Sequence, residues 1–315
     1  MFLFITASRD VHANLLLENF NLNAFRLNYD LWQDYSIQLE PGRWQIANPA
    51  GRIVTSETAT HCFWWKPFNS PIHADPYLVA EITYVFRELY GSFLTRGLTV
   101  GSSPDFHNRY GKLQILRMAS KYFRTPDTLC GWNLPSGDGR FAARELVAKS
   151  LSSELTSEGR LLFTTAVDYA QIDRTFPWYL QTRVEAHDDV TVFVCADAQF
   201  AFSRSRRDLA GLDWRRVIPD TPEQSGWRPR PLSPDESKGL RDLCRDLDVA
   251  WGRFDLMEDD RGLVFLEYNA NGQFGFLDFY CDNGLMRTVA DYIATPPSAS
   301  FRDIAKSAPA AALAP

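Results

Sequence analysis

Two carboxylates and an amide fall on neighbouring predicted strands near the end of the chain. The stretch FLEYNANGQFGFLD carries Glu267 and Asn269 two residues apart, so both side chains lie on one face of a strand. Asp255 belongs to the preceding apolar run, and the acidic turn Glu258–Asp260 predicts a hairpin that places Asp255 opposite Glu267. Two carboxylates and an amide oxygen, with no His or Cys nearby, are the hard ligands that Mg²⁺ prefers alongside substrate phosphates. The alternative is a solvated edge hairpin whose acids face water.

Two lysines stand where a cation can hold phosphate oxygens. Lys149 follows an apolar strand-like run and precedes a hydroxyl-rich loop, and Lys112 sits in a helical run that we predict to cover residues 105–122. No Walker-type glycine-rich loop occurs in the sequence. Taken alone, a lysine in either position is far more often a solvated surface charge. Between two predicted strands, Gln181–Val184 is either an ordinary loop or a hinge whose backbone reads the edge of an adenine.

The histidines and cysteines argue against nucleophilic or zinc chemistry. The five histidines lie in unrelated contexts, where they are expected to be surface or capping residues, and no G-x-S-x-G elbow is present. The five cysteines are scattered and form no CxxC pair. This usage fits a reducing cytosol better than a disulfide or zinc framework.

Composition bounds the protein class. The chain has 315 residues, enough for one large domain or two to three small ones, and its 45% hydrophobic and 23% charged residues are ordinary for a globular protein. The net charge of −6 gives no bulk attraction to nucleic acid or anionic lipid. No apolar run approaches the ~20 residues that span a bilayer, and the apolar start reads as a strand, not a signal peptide. We expect a cytoplasmic protein that binds neither nucleic acid nor membrane.

The elements that must position these residues alternate between strands and helices. A strand–helix–strand opening predicts an open α/β layer at the start of the chain. Asp75 followed by Pro76 predicts the start of a long helix that ends near Leu94, and Ser233 followed by Pro234 predicts another helix. The predicted division is an N-terminal α/β domain at 1–125, a central subdomain at 126–185, a C-terminal subdomain at 186–295 and a disordered tail at 296–315.

The ordered set of these motifs resembles the ATP-grasp ligases. It comprises NRYGKLQILRMA, ELVAKSLSS, PWYLQTRVEA, DDVTVFVCADAQFAF, GRFDLM and FLEYNANGQF. The chain is similar in particular to the peptide-modifying ATP-grasp enzymes of graspetide (microviridin-type) biosynthesis. That branch also matches Arg26–Asn28, Trp64–Pro67, Phe163–Thr165 and Asp213–Arg215. The matches run in family order from about residue 2 to residue 280, and the order makes the set far more specific than any one motif.

The resemblance implies an α/β and α+β architecture, in which an N-terminal α/β domain precedes two α+β ATP-grasp subdomains that enclose the nucleotide. ATP and Mg²⁺ are the implied cofactors. The implied roles are phosphate binding by Lys112 and Lys149, adenine contact by Gln181, Thr182, Arg183 and Val184, and Mg²⁺ binding by Asp255, Glu267 and Asn269.

The chain departs from the family pattern at two positions that usually carry arginine, where it has Thr191 and Met257. At a third place, Lys66 alone stands for a pair of basic residues. Arginines there suit the binding of a transferring phosphate. Arg253 lies on the same strand face as Asp255 and is the expected substitute, so Arg253 and Lys149 are the candidate catalytic residues.

The implied activity is ATP-dependent activation of a carboxylate as an acyl phosphate, followed by attack of an amine or hydroxyl. The implied substrate is a ribosomally made precursor peptide. The enzyme forms amide or ester bonds within this peptide, and one form of the hypothesis is that these bonds close macrocycles. Two alternatives stay open: a ligase for a free amino acid or small amine, and a degenerate ATP-grasp protein that binds a peptide without catalysis. We expect the peptide to dock on the N-terminal domain, and the sequence is compatible with a homodimer.

Overall fold

The computed structural model describes residues 1–68, 72–104, 106–135, 139–152, 163–207, 209, 211–213, 225–278 and 284–297. Trp214 and Arg215 of one family-like motif, residues 153–160 of the predicted hydroxyl-rich loop and residues 298–315 of the predicted tail lie outside this set.

The amino-terminal part contains, in chain order, β1 (Phe2–Thr6), α1 (Val11–Asn19), β2 (Ala24–Asn28), β3 (Ser36–Glu40), β4 (Arg43–Ala47), β5 (Ile53–Thr55), β6 (Cys62–Trp64), α2 (Pro76–Leu94), β7 (Thr99–Val100), α3 (Phe106–Arg109) and α4 (Lys112–Ala119). The middle part contains β8 (Thr128–Gly131), α5 (Gly139–Ala142), β9 (Leu146–Ala148), β10 (Thr165–Val167) and β11 (Trp178–Thr182). The last part contains β12 (Asp188–Cys195), β13 (Ala198–Ser205), β14 (Arg228–Pro229), α6 (Pro234–Leu247), β15 (Trp251–Asp259), β16 (Gly262–Asn269) and α7 (Leu285–Ala294). Short 3₁₀ helices cover Tyr29–Asp34 and Gly275–Leu277.

A parallel sheet of order β2-β1-β6-β7 opens the fold. The predicted strand–helix–strand start is confirmed by β1, α1 and β2. Because β2 lies on one side of β1 and β6 on the other, the strand order reverses at the carboxyl ends of β1 and β6. Such a reversal leaves a crevice between the two connections. Asp10 lies there and caps α1, accepting the Ala13 N–H at 2.8 Å.

Local start signals are confirmed for two helices. Helix α2 begins after Asp75, whose side chain accepts the Tyr77 N–H at 2.9 Å, and it ends at Leu94 as predicted. Helix α6 has a capping box in which Ser233 and Glu236 satisfy each other's backbone N–H. Each signal lies within four residues, so no tertiary contact is needed to read it.

The predicted continuous helix over 105–122 is wrong. The chain forms α3 and α4 instead, separated by Tyr110 and Gly111. Gly111 is extended (φ −76°, ψ 163°) and is the N-cap of α4. Glycine is a poor residue inside a helix and a tolerated one at a cap. Lys112 consequently occupies the first turn of a helix and not its middle.

The sheet of order β14-β13-β12-β15-β16 carries the predicted hairpin. One face packs against α4 and α6 through residues such as Val192, Leu243 and Phe254. The opposite face is covered at one end by the N-terminal sheet, where Phe193 and Trp251 share a core with residues of β1 and β6. The other end of that face lines a cleft against the central sheet, which has the order β10-β9-β11-β8.

Sequence reasoning missed β3, β8 and α7, and the domain boundaries at 125 and 185 remain predictions. None of the helices within the described ranges is both long and apolar enough to cross a membrane.

Candidate active site

The β15–β16 hairpin places the predicted metal ligands together. Asp255 is paired with Glu267, and Arg253 is paired with Asn269. The expected opposition of Asp255 and Glu267 is therefore confirmed. The next pair is Leu256 with Phe265, so Leu266 of β16 has no partner and forms a β-bulge. Leu266 lines the cleft.

Asp255 is held by a dense set of donors. Arg253 donates from Nε to Oδ1 and from Nη2 to Oδ2, each at 3.0 Å. Thr191 donates its hydroxyl to Oδ1 at 3.0 Å, and Asn269 donates Nδ2 to Oδ2 at 2.6 Å. These four bonds use the four lone-pair positions of the carboxylate. Thr191, which stands where the family pattern has arginine, thus contacts the site through its hydroxyl.

Glu267 lies between the hairpin and the two lysines. Burial acts to raise the pKa of Glu267, but the positive charges of Lys149 and Lys112 outweigh it and hold the pKa below its ordinary value. The Asn269 amide adds a hydrogen bond at 3.3 Å. Lys112 donates its Nζ to the Ser150 carbonyl at 2.7 Å, which ties the first turn of α4 to the end of β9. Both lysines are thereby brought to one carboxylate.

The cleft between the central and C-terminal sheets contains about 810 Å³ of space not occupied by atoms, part of it open to solvent. Its walls combine apolar side chains with the polar groups described here. The predicted site residues that line it are Lys149, Gln181, Thr182, Arg183, Val184, Arg253, Asp255 and Glu267.

The predicted hinge forms one wall of this cleft. Gln181 is 1% exposed and donates Nε2 to the Thr128 hydroxyl at 3.1 Å. Within the described part of the chain its Oε1 has no hydrogen-bond partner. The N–H groups of Thr182 and Arg183 already donate to the carbonyls of Asp127 and Glu145, at 2.9 and 2.8 Å. These two amides are therefore not available as donors to a ligand at the hinge, whereas the side chain of Gln181 retains an open acceptor among the described residues.

Asp189 is a cleft residue that sequence reasoning did not single out. It is 7% exposed, its Oδ1 accepts from Arg206 Nη1 at 2.5 Å, and its Oδ2 has no partner among the described residues. Burial raises the pKa of Asp189, against the opposing charge of Arg206. An acid followed by the apolar run VTVFVC was the available signal, because a buried strand rarely carries a carboxylate.

His12 was also missed, and the expectation that every histidine is a surface or capping residue is wrong for it. His12 is 8% exposed, and its Nε2 accepts the N–H groups of Phe274 and Gly275 at 3.2 and 2.9 Å. The adjacent Gln273 carbonyl accepts from Arg253 Nη1 at 3.0 Å. A continuous path of bonds thus runs from the N-terminal domain to Asp255. The buried His61 is a second exception, with its Nε2 2.7 Å from the Ile293 carbonyl.

The donor set fits a magnesium ion after one local change. Among the described residues, no group of three or more His, Cys, Asp or Glu side chains could hold a metal, so the candidate set is two carboxylates and one amide. A half-turn of the Asn269 amide replaces Nδ2 with Oδ1 and frees a lone pair on Asp255. Two carboxylates and an amide oxygen then face one point, as Mg²⁺ requires when phosphates supply the remaining ligands.

Comparison with known proteins identifies the fold. No family model matches the chain, and no curated protein matches its sequence. Solved structures do match: macrocyclase MdnC from Microcystis aeruginosa MRC, bound with precursor peptide MdnA, has 20% identity, a TM-score of 0.75, and 93% of this chain and 99% of that one covered. A Chryseobacterium gregarium RiPP-associated ATP-grasp ligase, in complex with ADP and a leader and core peptide, has 21% identity, a TM-score of 0.75 and 96% of both chains covered.

A third match is ATP-grasp ligase PsnB, complexed with a phosphomimetic variant of a minimal precursor, Mg and ADP. It has 16% identity and a TM-score of 0.69, over 93% of this chain and 97% of that one. The chain therefore has the ATP-grasp fold, over nearly its whole length. Its α/β N-terminal sheet and the two sheets around the cleft are the architecture that the resemblance implied.

Proposed function

We propose that this protein is an ATP- and Mg²⁺-dependent ligase that activates a carboxylate of a ribosomally made precursor peptide and joins it to an amine or hydroxyl. The observation that carries the proposal is that Asp255, Glu267 and Asn269 meet on the β15–β16 hairpin and that the charges of Lys112 and Lys149 act on Glu267. Asp255, Glu267 and Lys149 also line the cleft between the central and C-terminal sheets. The peptide substrate is inferred from the ligases of the same fold that were solved with precursor peptides. We place the protein in the cytoplasm.

Asp255, Glu267 and Asn269 would hold Mg²⁺, which neutralises charge on the phosphates when bound. Lys149 and Lys112 suit the phosphates because their charges already converge on Glu267. The adenine fits beside Gln181 and Val184, where Gln181 Oε1, which has no partner among the described residues, can accept a hydrogen bond from an amino group. Asp189 Oδ2 in the same cleft has no partner in the described part of the chain and is suited to accept a hydrogen bond from a ribose hydroxyl.

The chemistry needs no covalent enzyme nucleophile. A carboxylate oxygen of the substrate attacks the γ-phosphorus, the bond to ADP breaks, and an acyl phosphate forms. An amine or hydroxyl then attacks the acyl carbon, loses its proton and releases phosphate. The chain's contribution is positioning and charge neutralisation, with Arg253 next to the metal ligands as the group for the transferring phosphoryl.

The test is incubation with ATP, Mg²⁺ and each short peptide encoded beside the gene. ADP release coupled to loss of one water mass per bond from a peptide supports the proposal. ADP release only with free amino acids or small amines would assign the small-molecule alternative. Nucleotide binding with no turnover, unchanged in Glu267→Gln, would assign the non-catalytic alternative, which the Thr191 and Met257 departures motivate.

A further inference from the structure

The segment 271–275, which follows β16, packs on the two strands that carry the candidate metal ligands. A Cβ on Gly272 would lie 2.4 Å from the Arg253 Cβ and 3.2 Å from the Asn269 Cβ, so the backbone of the segment touches both residues. The next carbonyl, that of Gln273, accepts a hydrogen bond from Arg253 Nη1 at 3.0 Å. The conformation of this segment therefore sets where the Arg253 guanidinium lies relative to the candidate ligands.

Two buried side chains of the N-terminal part hold this segment. His12 Nε2 accepts the N–H groups of Phe274 and Gly275, and a Cβ on Gly275 would lie only 3.0 Å from that nitrogen. Ser102, which follows β7, donates its hydroxyl to Asn271 Oδ1 at 2.7 Å. Because both side chains are buried, water does not readily replace them as partners. The segment is thus held near both of its ends by residues that belong to the N-terminal sheet and its connections.

Arg253 depends on this segment for one of its two partners. Its Nε and Nη2 each donate to Asp255 at 3.0 Å, and its Nη1 donates to the Gln273 carbonyl. These bonds engage three of the five guanidinium N–H groups and leave two that no described residue accepts. A planar guanidinium that is fixed by two partners directs its remaining donors at one place. If His12 no longer held the segment, the Gln273 carbonyl could move and the remaining donors would lose their direction.

We propose that His12 and Ser102 are positioning residues, which act through the 271–275 segment to hold the Arg253 guanidinium in its working orientation beside Asp255. This inference rests on the proposed function and deepens it, because it makes the N-terminal sheet a part of the catalytic apparatus. His12 and Ser102 touch neither substrate nor nucleotide in this scheme. Their contribution is the placement of one carbonyl group and, through it, of one cation.

Nuclear magnetic resonance of the Arg253 guanidinium tests the inference without turnover. The full chain is labelled with nitrogen-15 arginine, and the Arg253 Nε–H signal is assigned by its absence in Arg253→Lys. We expect His12→Phe to speed the exchange of this hydrogen with solvent about tenfold or more, the scale of losing a hydrogen bond to a charged group. His12→Gln offers an acceptor near the Nε2 position and should leave the exchange unchanged. The Arg230 Nε–H, bonded to Glu258 at 3.0 Å in the same sheet, is the internal reference.

His61→Phe is the matched control for a lost buried histidine. His61 is 1% exposed and its Nε2 lies 2.7 Å from the Ile293 carbonyl, so its replacement should destabilise the fold without affecting the 271–275 segment. Equal acceleration in His61→Phe and His12→Phe, or none in either, would overturn the proposal. Ser102→Ala decides the matter if His12→Phe does not fold. Exchange about threefold faster in Ser102→Ala supports the proposal, and exchange at the wild-type rate rejects it.

Kinetics of the active ligase give a second readout. His12→Phe should lower kcat about tenfold and leave the Kd for ADP within about twofold of wild type, whereas His12→Gln should restore kcat. Because His12 acts through Arg253, its replacement should cost nothing further in an Arg253→Met background. An equal loss of kcat in both backgrounds would contradict the positioning role. If the wild-type chain releases no ADP with any peptide, the ligase function fails, while the exchange measurements still decide whether His12 positions Arg253.

Discussion

At the residue scale, the site depends on groups that share partners. Asp255 accepts from Arg253, Thr191 and Asn269 at once, and Glu267 sits within reach of two lysine charges. Spacing alone identified Asp255, Glu267 and Asn269, because alternation along a strand and a short turn fix which side chains share a face. The contact of the Thr191 hydroxyl with Asp255, and the Gln181 and Asp189 oxygens that lack a partner among the described residues, were not predictable, since they depend on which strand lies beside which.

Replacing Glu267 with glutamine should abolish turnover and spare the fold. The change removes one anionic metal ligand and keeps the shape, so we expect kcat to fall about a hundredfold or more, the scale of losing several kcal/mol of charge stabilisation. ADP release gives the rate, and thermal unfolding checks that Tm stays near that of wild type. Glu40→Gln, at an exposed ion pair with Arg43, is the matched control. Wild-type turnover in the Glu267 variant would refute the metal assignment.

Gly272 should tolerate no side chain. A Cβ at this position would lie 2.4 Å from the Arg253 Cβ, too close for the two to coexist without movement. Gly272→Ala should displace Arg253 from Asp255 and reduce kcat by about tenfold or more, the cost of one charge-assisted hydrogen bond. Gly111→Ala is the control, because a Cβ there has no neighbour within 4 Å. Equal rates for the two variants would mean that the position of Arg253 is unimportant.

At the element scale, hydrophobic alternation and caps predicted α1, α2, α6 and the β15–β16 hairpin, because those signals are local. The break between α3 and α4 contradicted the predicted long helix, and it sets Lys112 at a helix start. The loop after β16 is held by a residue of the N-terminal part: His12, which lies 262 residues away in sequence, accepts a hydrogen bond from the Phe274 N–H. No local sequence pattern predicts such a long-range contact.

The His12 contact should be visible in the pH dependence of stability. Burial lowers the pKa of His12 to about 4, with Asp10 opposing and Lys66 and Arg253 adding to the effect, from an ordinary value of 6.5. The unfolded chain therefore takes up the proton first as pH falls, so the free energy of unfolding that His12 contributes is present above pH 6.5 and is lost between pH 6.5 and 4. From pH 7 to pH 5 the loss should be about 2 kcal/mol.

The measurement is urea unfolding of wild type, His12→Gln and His12→Phe at both pH values. Glutamine offers an acceptor near the Nε2 position and does not titrate, so it should keep stability at pH 7 and remove this part of the pH dependence. Phenylalanine leaves two buried N–H groups unpaired and should destabilise at both pH values by about 1–3 kcal/mol. A Gln variant with the same pH dependence as wild type would contradict the assignment.

At the scale of the whole molecule, three sheets meet around the site. Trp65, directly after β6 of the N-terminal sheet, packs against Trp251 and Phe274, with ring centroids 5.8 and 5.5 Å apart. The N-terminal sheet and the sheet that carries the β15–β16 hairpin therefore share one aromatic core. The cleft proposed for the nucleotide instead lies between the central and C-terminal sheets. A ligand in the cleft therefore contacts both the central and the C-terminal sheets, and the aromatic core described above does not join these two sheets.

Nucleotide should consequently stabilise the protein. At a concentration of Mg²⁺·ADP about 100 times its Kd, the free energy of unfolding should rise by about 2.7 kcal/mol, seen as a higher Tm. Lys149→Met should weaken ADP binding about tenfold or more and shrink the shift at the same ligand concentration. Lys121→Met is the control, since Lys121 forms an exposed ion pair with Asp246. Equal shifts in both variants would remove Lys149 from the phosphate site.

The sequence alone determined the order of the elements, the opposition of Asp255 and Glu267, and the resemblance that the ATP-grasp fold bears out. These follow from local propensity, strand alternation and motif order, all of which are read within short stretches of chain. Tertiary structure decided that Lys112 and Lys149 face one carboxylate and that His12 supports the loop after Asn269. Such contacts join residues far apart in sequence, and their energies arise from burial and charge placement that exist only once the sheets pack.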